Sequence, residues 1–176
     1  MRVDWKTNLE MSEMTLCYLS GPIIHKENRK DNFYQYIVDF LRDEGIDVFA
    51  PQFLGPSEPI EIFQRDTQKV RAADFVIAEV SNASHGVGME LMLSIEFGKP
   101  LLLFRHAEAQ RLSYMVSGAS GKALFEYGDL DDITRVLERL NLHNLIIKQC
   151  SSCPSDVAST RNNKIHCVQC GADLSE

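Results

Sequence analysis

The chain has 176 residues, 44% of them hydrophobic and 24% charged, and carries a formal net charge of −7. That balance can bury one core, and it argues against the broad basic surface that nucleic-acid polymers need. One small anion held by backbone N–H groups and hydroxyls remains compatible with it.

The opening stretch MRVDWKTNLEMSEM is polar and has no apolar h-region, so residues 1–13 read as a flexible N-terminal extension. No apolar run approaches the roughly 20 residues that span a bilayer. The expectation is a soluble, cytoplasmic protein that makes no membrane contact. From residue 15, strand-like and helix-like stretches alternate. TLCYLSG (15–21) is a short apolar run ending in glycine and predicts a buried strand. RKDNFYQYIVDFLRDEG (29–45) places Phe33, Ile37, Phe40 and Leu41 at helical spacing and stops at Gly45. IDVFAP (46–51) is a second strand, and EPIEIFQRDTQKVRAA (58–73) a second helix with Pro59 near its start. DFVIAEV (74–80), almost continuously apolar, is the clearest strand. GVGMELMLSIEFG (86–98) predicts the third helix, KPLLLFR (99–105) the fourth strand, KALFEYG (122–128) a fifth, and LDDITRVLERLN (130–141) a closing helix.

Uninterrupted apolar strands alternating with helices predict a parallel sheet covered on both faces. Right-handed crossovers then give a doubly wound, flavodoxin/Rossmann-like α/β domain with five parallel strands over residues 14–143. Ligands of such folds sit beyond the carboxyl ends of the strands, where YLSG and AEVSNASHGVG lie.

Residues 144–176 differ, with few large apolar residues and no prospect of a core of their own. They hold two C-x-x-C pairs, Cys150 with Cys153 and Cys167 with Cys170, separated by 13 residues. Each pair can grip one edge of a tetrahedral ion, with the polar loop between them folded back as a hairpin and Gly171 suiting the knuckle. Two disulfides or idle thiols rank below a zinc ribbon, because paired C-x-x-C spacing is a specific signal. Four thiolates fill the shell, so the expected Zn2+ is structural, and no cofactor is expected for catalysis. His166 as a substitute ligand is disfavoured, and Cys17 reads as a small core hydrophobe. Removing the ion should loosen residues 146–175 and leave the α/β core folded.

In SNASHGVGME (81–90) a glycine-punctuated turn opens a helix, which is where an anion is usually received. Gly86 and Gly88 let a ligand approach the backbone, and Ser84 adds a hydroxyl. A close strand–helix packing turn explains the glycines equally well. Glu90 falls in the first helical turn, where a dipole contact is its ordinary role. Asp66, on the preceding helix, would ordinarily lie on a solvated face. Two carboxylates flanking one pocket are nonetheless what cleavage at an anomeric carbon uses. Periodicity alone does not bring Asp66 to Glu90.

Five segments in order, YLSGPI (18–23), RDTQKVRAADFVIAEVS (65–81), SHGVGMEL (84–91), GKPLLLFR (98–105) and LSYMVSGAS (112–120), resemble the nucleoside 2-deoxyribosyltransferase superfamily. Within it they lie closest to the 2′-deoxynucleoside 5′-phosphate N-hydrolase branch, over roughly residues 15–140. The resemblance implies that Glu90 is a nucleophile attacking C1′ to form a glycosyl-enzyme, that Asp66 assists at the sugar and leaving base, and that Tyr18 stands near the sugar and the nucleophile. It implies phosphate binding by Ser84 and by Ser113, the latter supplied from a neighbouring subunit, hence a homodimer with shared active sites. Gly21 and Ile23 match positions that line the nucleotide pocket.

The expected activity is hydrolysis of a (2′-deoxy)nucleoside 5′-monophosphate to free base and (deoxy)ribose 5-phosphate. A ribonucleotide remains open, since enzymes resembling this branch act on cytidine monophosphate. The alternatives are base exchange between deoxynucleosides and a catalytically silent nucleotide-binding module. The chain also departs from the branch. Pro22 follows Gly21, as in the transferases, and His25, Lys26 and Arg29 stand as phosphate or base contacts, with Lys26 better read as a solvated charge. Met92 replaces a usual glycine and would narrow the space behind the nucleophile. Glu79 is placed at the pocket rim without an assigned role. The zinc ribbon is no part of the minimal family domain, and its protein or nucleic-acid partner is unassigned.

Overall fold

The computed structural model describes residues 14–175; the extension expected over residues 1–13 lies outside them. The elements are β1 (Leu16–Ser20), α1 (Asp31–Asp43), β2 (Asp47–Phe49), α2 (Pro59–Ala72), β3 (Phe75–Glu79), α3 (His85–Glu96), β4 (Leu101–His106), α4 (Tyr114–Ser117), β5 (Lys122–Tyr127) and α5 (Leu130–Leu137), followed by β6 (Leu145–Ile147), β7 (Val157–Arg161) and β8 (Lys164–Cys167). The first five strands form one parallel sheet in the order β2-β1-β3-β4-β5. The chain leaves β1 towards β2 and then returns to β3 on β1's other side. The carboxyl ends of β1 and β3 therefore mark the switch point where a crevice opens.

Alternation along the strands divides the core in two. Cys17, Leu19, Phe75, Ile77, Leu102 and Phe104 pack with Phe33, Ile37 and Leu41 of α1 and Ile133 and Leu137 of α5. Tyr18, Val76, Ala78, Leu101 and Leu103 face the other way, with Val70 of α2 and Val87 and Leu91 of α3. The buried residues of α1 recur at helical spacing, and the helix ends where Gly45 takes a φ of +74°, a conformation costly for a residue with a side chain. Asp129 and Asp132 form a reciprocal capping box that starts α5. Among the described residues no helix is long and apolar enough to cross a membrane.

The cysteine-bearing tail is a three-stranded antiparallel sheet, β6-β7-β8. Asn162 and Asn163, both at positive φ, make the tight turn of the expected hairpin. Strand β6 and the single-turn α4 escape sequence reading, being too short to show a period.

The ribbon sheet is not a loose appendage. Val157 and Val168 are buried in the same cluster as Phe125 and Leu137. Asp156 N–H donates to the Lys122 carbonyl at 2.8 Å, and its carboxylate accepts from Gly121 N–H at 3.1 Å. Arg139 Nη2 donates to the carbonyls of Val168 (3.0 Å) and Gln169 (3.1 Å), while Asn141 Nδ2 donates to Thr160 O at 2.7 Å. The tail therefore covers the start of the edge strand β5, where backbone groups of Gly121 and Lys122 would otherwise be unpaired.

Candidate active site

Three side chains converge at the switch point. Tyr18 and Ser20, two residues apart on β1, share a face of the strand and point at α3. The Tyr18 phenol donates to Glu90 Oε1 at 2.7 Å, and the Ser20 hydroxyl donates to Glu90 Oε2 at 2.5 Å. Both oxygens of Glu90 are thus gripped, yet each keeps a lone pair free. Glu90 faces this pair from the second turn of α3, six residues beyond the Ser84 cap, and not from the first turn expected from sequence.

Burial pushes the Glu90 carboxyl up to about 7, against the Ser20 and Tyr18 hydrogen bonds that hold it down, with the charge of Asp66 adding a further upward push. Tyr18 is driven well above the ordinary phenol range by burial first and the Glu90 charge second, so it stays a neutral donor. The arrangement is a partly desolvated carboxylate poised near neutrality, with two fixed donors, at the mouth of a parallel sheet.

Asp66 is close enough to act on Glu90 and Tyr18 electrostatically, but it bonds to neither. Its Oδ1 accepts from Arg65 Nε at 2.7 Å, and its side chain is 13% exposed. Phe49 packs on Tyr18 with ring centroids 5.5 Å apart and lies beneath the Arg65 guanidinium, walling the same side.

Ser84 caps α3, accepting from Val87 N–H at 3.5 Å. A Cβ at Gly88 would meet no atom within 4 Å, and one at Gly86 only Ser84 Oγ at 3.9 Å. Packing among the described residues therefore does not require either glycine, and those residues leave the space before them open. Gly21 is the opposite case, since a Cβ there would stand 2.4 Å from the Tyr34 hydroxyl. That hydroxyl is buried and donates to Pro22 O at 3.1 Å. Ile23 lines a cleft of about 260 Å³ with Ile24, His25, Asn28, Ser84 and His85.

Ser113 caps α4 and is not beside Glu90. It shares with Ser84 a groove of about 410 Å³ between α3 and residues 110–119, which Met92 also lines. Met92 is 53% exposed there, so it does not crowd the space behind Glu90 as expected. Arg29 is held by Asp31 (2.7 and 2.9 Å) and Gln52 O (3.3 Å), which makes it a scaffold contact; Lys26 is solvent-exposed.

Glu79 is not at the pocket rim. It is fully buried on the α1/α5 face, opposite Glu90. Sequence reading also missed Ser20, although the period of two that places Tyr18 on a face places Ser20 beside it.

At the other end of the molecule the Sγ atoms of Cys150, Cys153, Cys167 and Cys170 lie within 4.8 Å of one another, and none is in a disulfide. The Cys150–Cys170 and Cys153–Cys167 separations are 3.6 and 3.5 Å. A tetrahedral ion bound by sulfur at about 2.3 Å has edges of roughly 3.8 Å, so the four thiols can hold a metal ion. Gly171, at a φ of +76°, closes the second knuckle with its N–H on Cys167 O.

A 5-hydroxymethyl-dUMP N-hydrolase of Danio rerio is 40% identical over 80 residues, which cover 44% of this chain and 56% of that protein. The chain spans about half the length of the curated relatives it matches. The solved CMP N-glycosidase of Clostridium botulinum superposes with a TM-score of 0.57 at 17% identity, over 70% of this chain and 99% of that one. The 2-deoxyribosyltransferase of Bacillus psychrosaccharolyticus gives a TM-score of 0.55 at 21% identity, over 73% of this chain and 94% of that one. These two likenesses show the fold. Residues 17–145 match the family described as nucleoside 2-deoxyribosyltransferase, and the chain belongs to that family.

Proposed function

We propose that the protein hydrolyses the N-glycosidic bond of (2′-deoxy)nucleoside 5′-monophosphates, giving free base and (deoxy)ribose 5-phosphate. The observation that carries this is the Glu90 carboxylate held between Tyr18 and Ser20 at the switch point. In the proposed reaction a free lone pair of ionised Glu90 attacks C1′. The C1′–N bond breaks with its electrons going to the base, which takes a proton, and a glycosyl ester forms on Glu90. Water then attacks C1′, loses a proton, and releases Glu90 as the carboxylate. Asp66, kept near by Arg65, serves the protons of the leaving base and the attacking water. Ser84 and the free N–H groups of α3 hold the 5′-phosphate as a handle that positions C1′, with Gly86 and Gly88 letting it approach and Gly21 and Ile23 shaping the cleft. The substrates named in the relatives' descriptions, 5-hydroxymethyl-dUMP and CMP, differ in both base and sugar, so the proposal is limited to the monophosphate class.

Glu90→Gln should nearly abolish base release and leave nucleotide binding measurable by calorimetry; unchanged turnover would remove Glu90 as nucleophile. Pro22 after Gly21 favours the competing base exchange, which transfer of a labelled free base onto the sugar would reveal. Tight nucleotide binding without any turnover would favour the silent module.

Residues 14–143 form the proposed catalytic domain and residues 144–176 its metal-binding part. Four soft thiolates suit Zn2+, here in a structural role, and free cysteines suit the cytoplasm. A second copy covering Met115 and Tyr114, 84% and 76% exposed beside the groove, would bring a partner's residue 113 to the shared site.

A further inference from the structure

The mechanism above leaves one fully buried carboxylate unused. Glu79 ends β3 with no exposed surface. Its Oε1 accepts the Ser81 hydroxyl and, at 3.0 Å, the Tyr127 phenol of β5; its two oxygens also receive Ser81 N–H at 3.3 and 3.4 Å. Ser81 Oγ in turn accepts His106 N–H of β4 at 2.8 Å. One carboxylate therefore ties together the carboxyl ends of three neighbouring strands. Burial pushes its carboxyl up, while the Ser81 and Tyr127 donors and the charge of Lys30 pull it down. Burying such a group costs several kcal/mol unless its partners are fixed, so its retention calls for a reason.

The chain supplies that reason in the next residues. Ser81, Asn82, Ala83 and Ser84 lead from Glu79 to the cap of α3, and they form the wall shared by the groove of about 410 Å³ and, through Ala83 and Ser84, the cleft of about 260 Å³. Gly86 and Gly88 add no side-chain packing to hold this segment. Of its four residues Ser81 alone is buried, and Ser81 is fixed by Glu79. Glu79 lies on the sheet face opposite Glu90, so its route to the proposed site runs through the turn and not through direct contact.

We propose that Glu79 is a positioning residue that fixes the Ser81–Ser84 turn, and with it the α3 N-terminus, for a phosphate-bearing ligand. The phosphate half of this statement rests on the proposed nucleotide activity; the fixing of the turn does not. A glutamine at this position keeps the shape but turns an N–H2 group towards donors, leaving at least one of them unpaired.

The test uses the full chain carrying Glu79→Gln, with Tyr36→Phe as comparator, which loses the Tyr36–Thr134 hydrogen bond far from the site. Amide hydrogen exchange across residues 81–88 should quicken about tenfold or more in Glu79→Gln, with smaller changes elsewhere. Tyr36→Phe should leave that segment unchanged. With nucleoside monophosphates, Glu79→Gln should raise KM about tenfold and keep kcat within about threefold. If Glu79→Gln does not fold, Ser81→Ala removes the same link and should give the same pattern. Unchanged exchange in residues 81–88, or a rise spread evenly over the sheet, would overturn the positioning role. Quickened exchange with an unchanged KM would overturn the part concerning phosphate. If the unmutated chain released no base, the nucleotide reading would fail, and hydrogen exchange would still decide whether Glu79 fixes the turn.

Discussion

Replacing Ser20 by alanine tests whether the donor it supplies keeps Glu90 usable as a nucleophile at neutral pH. The Ser20 hydroxyl donates to Glu90 Oε2 at 2.5 Å and favours the ionised carboxylate. A hydrogen bond to a charged group contributes about 1.5–3 kcal/mol, and about 1.4 kcal/mol corresponds to one pKa unit, so Ser20→Ala should raise Glu90 by roughly one unit or more. Starting from about 7, the ionised fraction at pH 7 falls from about one half to about one tenth. Initial rates of base release at low nucleotide concentration, from about pH 5.5 to about pH 9.5, give kcat/KM for the free enzyme. The expected variant-to-wild-type ratio is about one fifth at neutral pH and climbs towards one in alkali. The substrate phosphate titrates equally in both arms and cancels in the ratio. A ratio that stays flat across this range would refute the reasoning, because the serine would then act by shape alone.

Glu90→Gln should also change stability in a pH-dependent way. The folded-state carboxyl is raised from 4.5 to about 7, so its contribution is fully present below about pH 4.5 and is lost as pH rises through about 7. The variant should melt above the wild type at pH 8, with the gap closing towards pH 5; a constant gap in thermal scans would contradict this. With a metal ion held by the four thiols, as proposed, chelation should lower the melting temperature in one cooperative step, because Val157 and Val168 belong to the main core. A core transition that stays in place would restore the expectation that residues 146–175 loosen while the α/β core stays folded. Gly21→Ala drives a methyl to within 2.4 Å of the Tyr34 hydroxyl, and the overpacking should cost about 1–3 kcal/mol in denaturant titrations. An unchanged midpoint would show that Tyr34 can move aside.

The sheet was legible because DFVIAEV and KPLLLFR are apolar on both faces, a pattern that only a doubly covered strand needs. The link between Tyr18 and Glu90 was available only through family resemblance, since 72 residues separate them and periodicity holds no tertiary distance. Ser20 could have been found from strand alternation once Tyr18 was placed. Glu79 was misplaced for a related reason: the strand end was right, but its face depends on the register of β3 against β1, fixed by pairs such as Tyr18 with Val76. The fusion of the tail with the core was hidden too, because Val157 and Val168 look like ordinary small apolar residues beside the cysteines.

The central claim is tested most directly by chromatography of the base released from deoxy- and ribonucleoside 5′-monophosphates and from the matching unphosphorylated nucleosides. The account predicts release from one or more monophosphates and none from the nucleosides. Release from free nucleosides that increases with an added acceptor base, or no release from any compound, would contradict it.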